Sequence, residues 1–295
     1  MNAHSQSRRT FIAGTVALLA GCTHGDASPA SDSEFEAIRA TLGPSGRLGV
    51  AALDTATGRR LGFDADSRYA MASTFKTPLA AAVLAAADRG ALSLDAPVRF
   101  TAADLQSYAP VVRANLAKGS LTLRQLCAAS VEVSDNSAAN LLLARIGGPA
   151  GLTAFMRRVG DPVTRLDRIE PDLNENIAGD PRDTTTPAAM VGLMRALLVG
   201  DVLAPGSRAM LIGWMESSTT GGERLRAGLP TNWRAGDKTG TGARGSTNDI
   251  AIAWSPGRAP ILIACFQSGG DAEAAVRNAA HARVARVIAA RLTSQ

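Results

Sequence analysis

The apolar positions of this chain change their spacing twice. In "RLGVAALDTATGRRLGF", residues 47–63, two apolar runs flank a Thr57-Gly58 turn, the pattern of two strands in a hairpin. From Thr74 to about Leu211 the spacing becomes helical. "TPLAAAVLAAADRG", "LTLRQLCAASV", "SAANLLLARIGG", "GLTAFMRRVG" and "PAAMVGLMRALLVG" carry apolar stripes, and most of them stop at glycine. The chain then returns to strands in "WRAGDKTGT", "NDIAIAW" and "PILIACFQS", and closes with the amphipathic "AEAAVRNAAHARVARVIAARL". A short helix over Glu34 to Leu42, capped by Ser33, is expected before the first strand.

Strands at both ends of the chain that enclose a run of helices imply an α/β (α+β) fold. It has one antiparallel five-stranded sheet, assembled from distant segments and flanked by the terminal helices, with an all-helical domain docked beside it. The expected division is 34–68 with 213–295 for the sheet domain and 69–212 for the helical one, with a pocket at the seam. One segment breaks the helical rhythm: "RLDRIEPDLNENIAGDPRDTTTP", residues 165–187. Between Arg165 and Asp183 it holds six acids, three arginines and two prolines without an apolar period. Ordered loops of this length are uncommon and usually functional, so a loop tied down by its own Arg and Asp side chains is expected.

Composition sets bounds on this picture. A chain of 295 residues with 46% hydrophobic and 19% charged residues is globular, not disordered. Its start, "SRRTFIAGTVALLAGC", pairs Arg8 with Arg9 and follows with an apolar run from Phe11 to Leu19, too short to span a bilayer. That stretch resembles a twin-arginine export signal, residues 1–21, ending where bacterial lipoproteins are cut and Cys22 is acylated; residues 22–33 then form a small-residue linker. The expected location is exported and periplasmic, with membrane contact only through Cys22. Loss of the leader leaves 29 cations against 26 acids, a balance of +3 that argues against nucleic acid as a partner. Cys127 and Cys265 are equally compatible with a disulfide and with two buried thiols.

Candidate chemistry begins with an oddity of charge: 28 of the 31 cations are arginine, and the three lysines are Lys76, Lys118 and Lys238. The histidines are His4, His24 and His281, two in the leader and linker and one on the last helix, which serves a Ser-His-Asp triad poorly and shows no zinc-ligand spacing with the cysteines. That leaves a serine activated by something other than imidazole. Ser73 immediately precedes a strong helical run, where unpaired backbone N–H groups favour developing negative charge. Lys76 lies one turn along the same face. A guanidinium cannot act as a base, whereas a lysine amine that is crowded and desolvated loses its proton near neutral pH. The bland reading makes Ser73 a helix cap and Lys76 a solvated residue.

Two further motifs change that balance. Ser134-Asp135-Asn136 falls between two helical segments, either as a turn with Ser134 or Asn136 as cap, or as a relay hydroxyl beside a substrate-holding amide. Lys238-Thr239-Gly240 falls in a strand, either as an exposed edge with a Gly irregularity or as a carboxylate receiver whose glycine permits close backbone approach.

Ser73-x-x-Lys76, Ser134-Asp135-Asn136 and Lys238-Thr239-Gly240, in this order, resemble the penicillin-recognising serine enzymes. Glu170-x-x-x-Asn174 in the long loop narrows the resemblance to class A serine β-lactamases, and it spans nearly the whole mature chain. The resemblance implies hydrolysis of β-lactam antibiotics by a monomer that needs no cofactor or metal. It makes Ser73 the nucleophile and Ser134 the proton donor to the leaving nitrogen, with Lys76 or Glu170 as the acylation base and Glu170 as the deacylation base. It also implies an oxyanion hole from the N–H groups of Ser73 and Thr241, and a carboxylate site at Lys238, Thr239, Gly240 and Thr241 with support from Arg224, since Thr247 stands where many relatives place an arginine. Asn136 would hold the substrate amide, Asn174 would place the water, and Tyr108 is either the aromatic at the rim or a loop-packing residue. Arg168 and Asp183 match the pair that closes the loop, and Glu170-Pro171 is an expected cis bond. The region opposite Cys127 reads "TPLAAAV", so the family's bridge to that cysteine is missing. A peptidoglycan transpeptidase would share the first three motifs but lack Glu170, and a drug-binding lipoprotein would not need an intact nucleophile and bases.

Overall fold

The computed structural model describes Met1 and residues 29–293. In chain order the elements are α1 (Pro29–Ala40), β1 (Arg47–Asp54), β2 (Arg60–Phe63), β3 (Tyr69–Ala70), α2 (Lys76–Asp88), β4 (Pro97–Arg99), α3 (Pro110–Ala114), β5 (Ser120–Thr122), α4 (Leu123–Glu132), α5 (Asn136–Arg145) and α6 (Gly148–Arg158). They continue with β6 (Thr184–Thr185), α7 (Pro187–Leu198), α8 (Pro205–Glu216), α9 (Leu225–Gly228), β7 (Arg234–Thr241), β8 (Thr247–Trp254), β9 (Ile261–Ser268) and α10 (Ala274–Thr293). Two expectations need correction. Ser33 does not cap α1, which begins at Pro29 and runs through it. The helical region is not purely helical, because β3 pairs with β6 and β4 with β5 in two short ladders that pin its loops.

The main sheet has the order β2-β1-β9-β8-β7, antiparallel throughout, so the hairpin at the chain's start lies beside the last strand. Side-chain alternation sorts its strands between two cores. Ala51 and Leu53 of β1 and Leu262, Ala264 and Phe266 of β9 join the core under the helices. Val50 and Ala52 with Ile261, Ile263 and Cys265 join the core under α1 and α10. Helix α2 crosses the larger core with every residue from Lys76 to Ala86 buried. Its alanines let neighbouring helices approach closely and give the functional segment at its start a rigid mount.

The smaller core contains a buried polar group that sequence reasoning placed merely on an amphipathic helix. His281 is fully buried, its Nδ1 2.8 Å from Gln267 Nε2 and 2.9 Å from Arg277 O. Burial, reinforced by the Arg224 charge, pushes its pKa down to about 3. The unfolded chain takes up this proton near pH 6.5 while the folded chain refuses it, so stability falls with pH from about 6.5 toward 3. A deficit of about 2 kcal/mol is expected from this residue by pH 5. Urea melts of wild type and His281→Gln across that range check this: the gap between the two should change with pH, and parallel curves would exclude it.

Candidate active site

The segment that carries Ser73 is a 3-10 turn, Ala72–Phe75, running directly into α2. Ala72 is fully buried with φ +43°, a left-handed conformation that costs a non-glycine residue of order 1 kcal/mol. The surrounding core holds this kink, and it aims Ser73 out of the helix start toward the seam. Lys76 opens α2 itself, fully buried beneath it.

Three segments far apart in sequence converge here. Lys76 Nζ lies 3.0 Å from Glu170 Oε1 in an ion pair from which solvent is excluded on both sides. It also donates to Ser134 O at 2.9 Å, Ser134 Oγ at 3.3 Å and Asn136 Oδ1 at 2.5 Å. Ser73 Oγ donates to the same Glu170 oxygen at 3.5 Å. Asn174 Nδ2 donates to the other carboxylate oxygen at 2.6 Å. Burial drives the Lys76 pKa down, and the Glu170 carboxylate pushes it back up. Amine, carboxylate and two hydroxyls thus form one connected proton network.

The Ser134 turn depends on Asp135. The residue that caps α5 is neither Ser134 nor Asn136: Asp135 accepts from Ala138 N at 2.8 Å, and its other oxygen accepts from Val111 N and Val112 N at 2.9 and 3.0 Å. One carboxylate therefore ties the starts of two helices together and leaves Ser134, at φ +61°, turned toward Lys76. Tyr108 is 52% exposed, and its carbonyl accepts from Asn136 N at 3.0 Å.

The third wall is β7, the free edge of the sheet. Gly240 passes so close to the Ser73 turn that a Cβ there would lie 2.7 Å from Met71 O and 3.2 Å from Ser73 N. No other residue fits. Register places Lys238 opposite Ile250 and Thr239 opposite Asp249. The lysine therefore leaves the strand on the face of Ile250, toward the helical side, and the threonine on the opposite face, toward Thr220. The two side chains thus straddle the edge of the strand. Lys238 Nζ curls back onto Thr239 O at 2.9 Å, and Thr239 Oγ1 meets Thr220 Oγ1 at 2.7 Å. Arg224 donates to Gly240 O, Asn248 O and Thr241 Oγ1 at 2.9, 2.7 and 2.7 Å, which braces the end of the strand.

Burial, with repulsion from Lys76, pushes the Lys238 pKa down to about 7. Below that pH the side chain is an ammonium, and above it the charge is lost. For a carboxylate-bearing substrate, kcat/KM should fall as pH rises through about 7, and esterifying that carboxylate should flatten the limb. A pH profile with both substrates checks this, and identical limbs would exclude it.

The loop is held as its composition suggested. Arg168 Nε donates to Asp183 Oδ2 at 2.6 Å, Asp183 Oδ1 accepts from Asp167 N and Arg168 N, and Glu170-Pro171 is cis. Sequence reasoning passes over Asn140, which exchanges two hydrogen bonds with the Glu170 backbone, Glu170 N to Oδ1 at 3.0 Å and Nδ2 to Glu170 O at 2.9 Å. Its position four residues after Asn136, one turn along the same helix face, was the available signal. It also passes over Asn248, buried in β8, whose Nδ2 donates to Ala70 O and Met71 O at 2.8 and 3.1 Å behind the Ser73 turn. Cys127 and Cys265 are free and buried, which decides between the two alternatives left open for them. Cys22 lies outside the described residues.

A serine at a strained turn, backed by an amine and a carboxylate that share protons, is the apparatus of an acyl-transfer enzyme that forms and breaks a serine ester. A sequence-family model described as "Beta-lactamase enzyme family" matches residues 34–292. Among curated proteins, β-lactamase AST-1 of Nocardia asteroides is 44% identical over 95% of this chain and 94% of its own length. β-Lactamase L2 of Stenotrophomonas maltophilia is 44% identical over 94% and 91%. Among solved structures, the class A β-lactamase of the last common ancestor of Gram-negative bacteria superposes with a TM-score of 0.87 at 52% identity, covering 89% of this chain and 99% of that one. The chain belongs to the class A β-lactamase family, whose members are serine hydrolases of β-lactam antibiotics.

Proposed function

We propose that the chain opens the lactam amide of penicillins and cephalosporins in two steps through an ester on Ser73, and that Glu170 decides the second step. In the first, Ser73 Oγ attacks the lactam carbonyl and gives its proton to the paired Lys76 and Glu170. The oxyanion is received by the backbone N–H groups of Ser73 and Thr241, which the close approach of Gly240 to Ser73 N supports. As the C–N bond breaks, the nitrogen takes a proton from Ser134, which Lys76 replaces across 3.3 Å. The proton lost by Ser73 is thus the one the product nitrogen gains. In the second step Glu170, with Asn174, orients a water, takes its proton and directs the oxygen at the ester, and Ser73 leaves with that proton restored.

Lys238, Thr239, Thr241 and Arg224 serve the substrate carboxylate, Asn136 the side-chain amide and Tyr108 the rim of the cleft. Division of the chain into 34–68 with 213–295 and 69–212 places these groups on both sides of one seam. Export by the leader, periplasmic residence, acylation of Cys22 and a monomeric state complete the proposal. No helix among the described residues is long and apolar enough to cross a membrane.

The observation that carries the mechanism is the convergence of Ser73 Oγ and Lys76 Nζ on one oxygen of Glu170. A chromogenic cephalosporin tests it. Steady turnover after the burst is expected, and an adduct that stalls at one equivalent would point to a transpeptidase-like or merely drug-binding protein.

A further inference from the structure

We infer that the cavity behind the Glu170 loop binds a small multivalent anion of phosphate or carboxylate chemistry, at a site separate from the cleft. This cavity, of about 570 Å³, lies between the far side of the loop and the outer ends of the sheet strands. Five arginines line it, Arg47, Arg68, Arg168, Arg182 and Arg244, against one acid, Asp180. Neither Ser73, Lys76, Glu170 nor Lys238 is in its wall.

The charges of the wall are not balanced within the protein. Arg168 is paired with Asp183 and Glu175, Arg182 with Asp180, and Arg47 with Asp64. Among the described residues, Arg68 and Arg244 have no such carboxylate. Arg68 Nη1 donates to Val163 O at 3.1 Å and to Thr184 Oγ1 at 2.9 Å, and Arg244 Nη1 donates to the carbonyl of Glu175. Both residues are exposed at the cavity, and each guanidinium bonds only neutral acceptors there and keeps its full charge in a concave wall. Such a cleft concentrates the field on an incoming anion, and the planar fork of arginine matches carboxylate and phosphate oxygens two at a time. Two uncompensated cations call for an occupant with at least two negative charges. The volume lies within the range of small-molecule sites and exceeds the needs of a single inorganic ion.

The position of the cavity gives binding a consequence. Asn176, in its wall, donates to Ala243 O, Arg244 O and Ser268 Oγ at 3.1, 3.0 and 3.0 Å, which fastens the loop to the sheet. An anion bridging Arg68 and Arg244 would hold the same two parts together. It would bind only while the loop is folded and so would stabilise it by linkage.

Calorimetric titration of the purified chain at constant ionic strength, with sodium pyrophosphate in one arm and citrate in the other, tests the site. Saturable one-to-one binding is expected in at least one arm. Saturation by pyrophosphate assigns phosphate chemistry, and saturation by citrate alone assigns polycarboxylate chemistry. Affinity should fall at least tenfold in Arg68→Ala/Arg244→Ala and recover in part in Arg68→Lys/Arg244→Lys, which keeps the charge without the fork. Crystals soaked in the bound anion should show it against both guanidinium groups, and this decides the matter if the alanine variant does not fold. Absence of saturable binding in both arms, binding unchanged in the alanine variant, or an anion found only beside Lys238 and Thr239 would overturn the inference.

Discussion

Glu170→Ala is expected to become acylated on Ser73 and to stop there. In the proposed mechanism this carboxylate activates the water against the ester, with Asn174 at 2.6 Å from its second oxygen, and its loss should slow turnover by about 10²- to 10⁴-fold. The first step should survive, for an electrostatic reason. Burial lowers the Lys76 pKa and the Glu170 charge restores part of it, so removing Glu170 leaves a buried amine with its main cationic support gone. That amine deprotonates more readily and can take the Ser73 proton alone. Mass spectrometry of the variant after brief exposure to a penicillin should show a persistent adduct of one substrate mass. Unchanged turnover, or an unmodified protein, would remove Glu170 from the role assigned to it.

Lys76→Arg should fail earlier and leave no adduct. The guanidinium keeps the charge beside Glu170 but does not release a proton at any pH at which the protein is folded, so Ser134 cannot be resupplied as the lactam nitrogen departs. It is also a planar fork in a pocket where one tetrahedral nitrogen meets four oxygens, from Glu170, Ser134 twice and Asn136. A loss of kcat/KM of about 10²- to 10⁴-fold is expected, close to that of Ser73→Ala. The contrast between the variants is the sharper test. Glu170→Ala accumulates ester and Lys76→Arg does not, and a Lys76→Arg adduct that forms at the wild-type rate would show that the charge of Lys76, not its proton, is what matters.

Much of this site is legible in the order of residues because its chemistry depends on residue type at short spacing. Ser73 and Lys76 sit one turn apart at a helix start, and a lysine where the chain otherwise uses arginine marks a proton that must move. The strand runs and helical stripes likewise fix the sheet, the helical insert and the seam, since period 2 and period 3.6 are local properties. Other features are not local. Asn140 looks like a polar interruption of α5 until the loop is laid across it. Asp135 reads as the middle of a turn motif until the starts of α3 and α5 are brought to one carboxylate. The straddling of the β7 edge by Lys238 and Thr239 follows from register with β8, which a single strand does not reveal.

By itself, then, the order of residues determined that a serine and a lysine stand one turn apart at a helix start, that a long irregular loop carries Glu170, and the class of fold. Tertiary structure alone decided that Glu170, 97 positions away, shares one oxygen between Ser73 and Lys76, and that Gly240 is pressed against the Ser73 turn. It also decided that two arginines behind the loop have no carboxylate partner among the described residues. The physical reason is range. Propensity and periodicity act over a few residues, whereas proton sharing, close backbone approach and uncompensated charge depend on distances that only the packed chain sets.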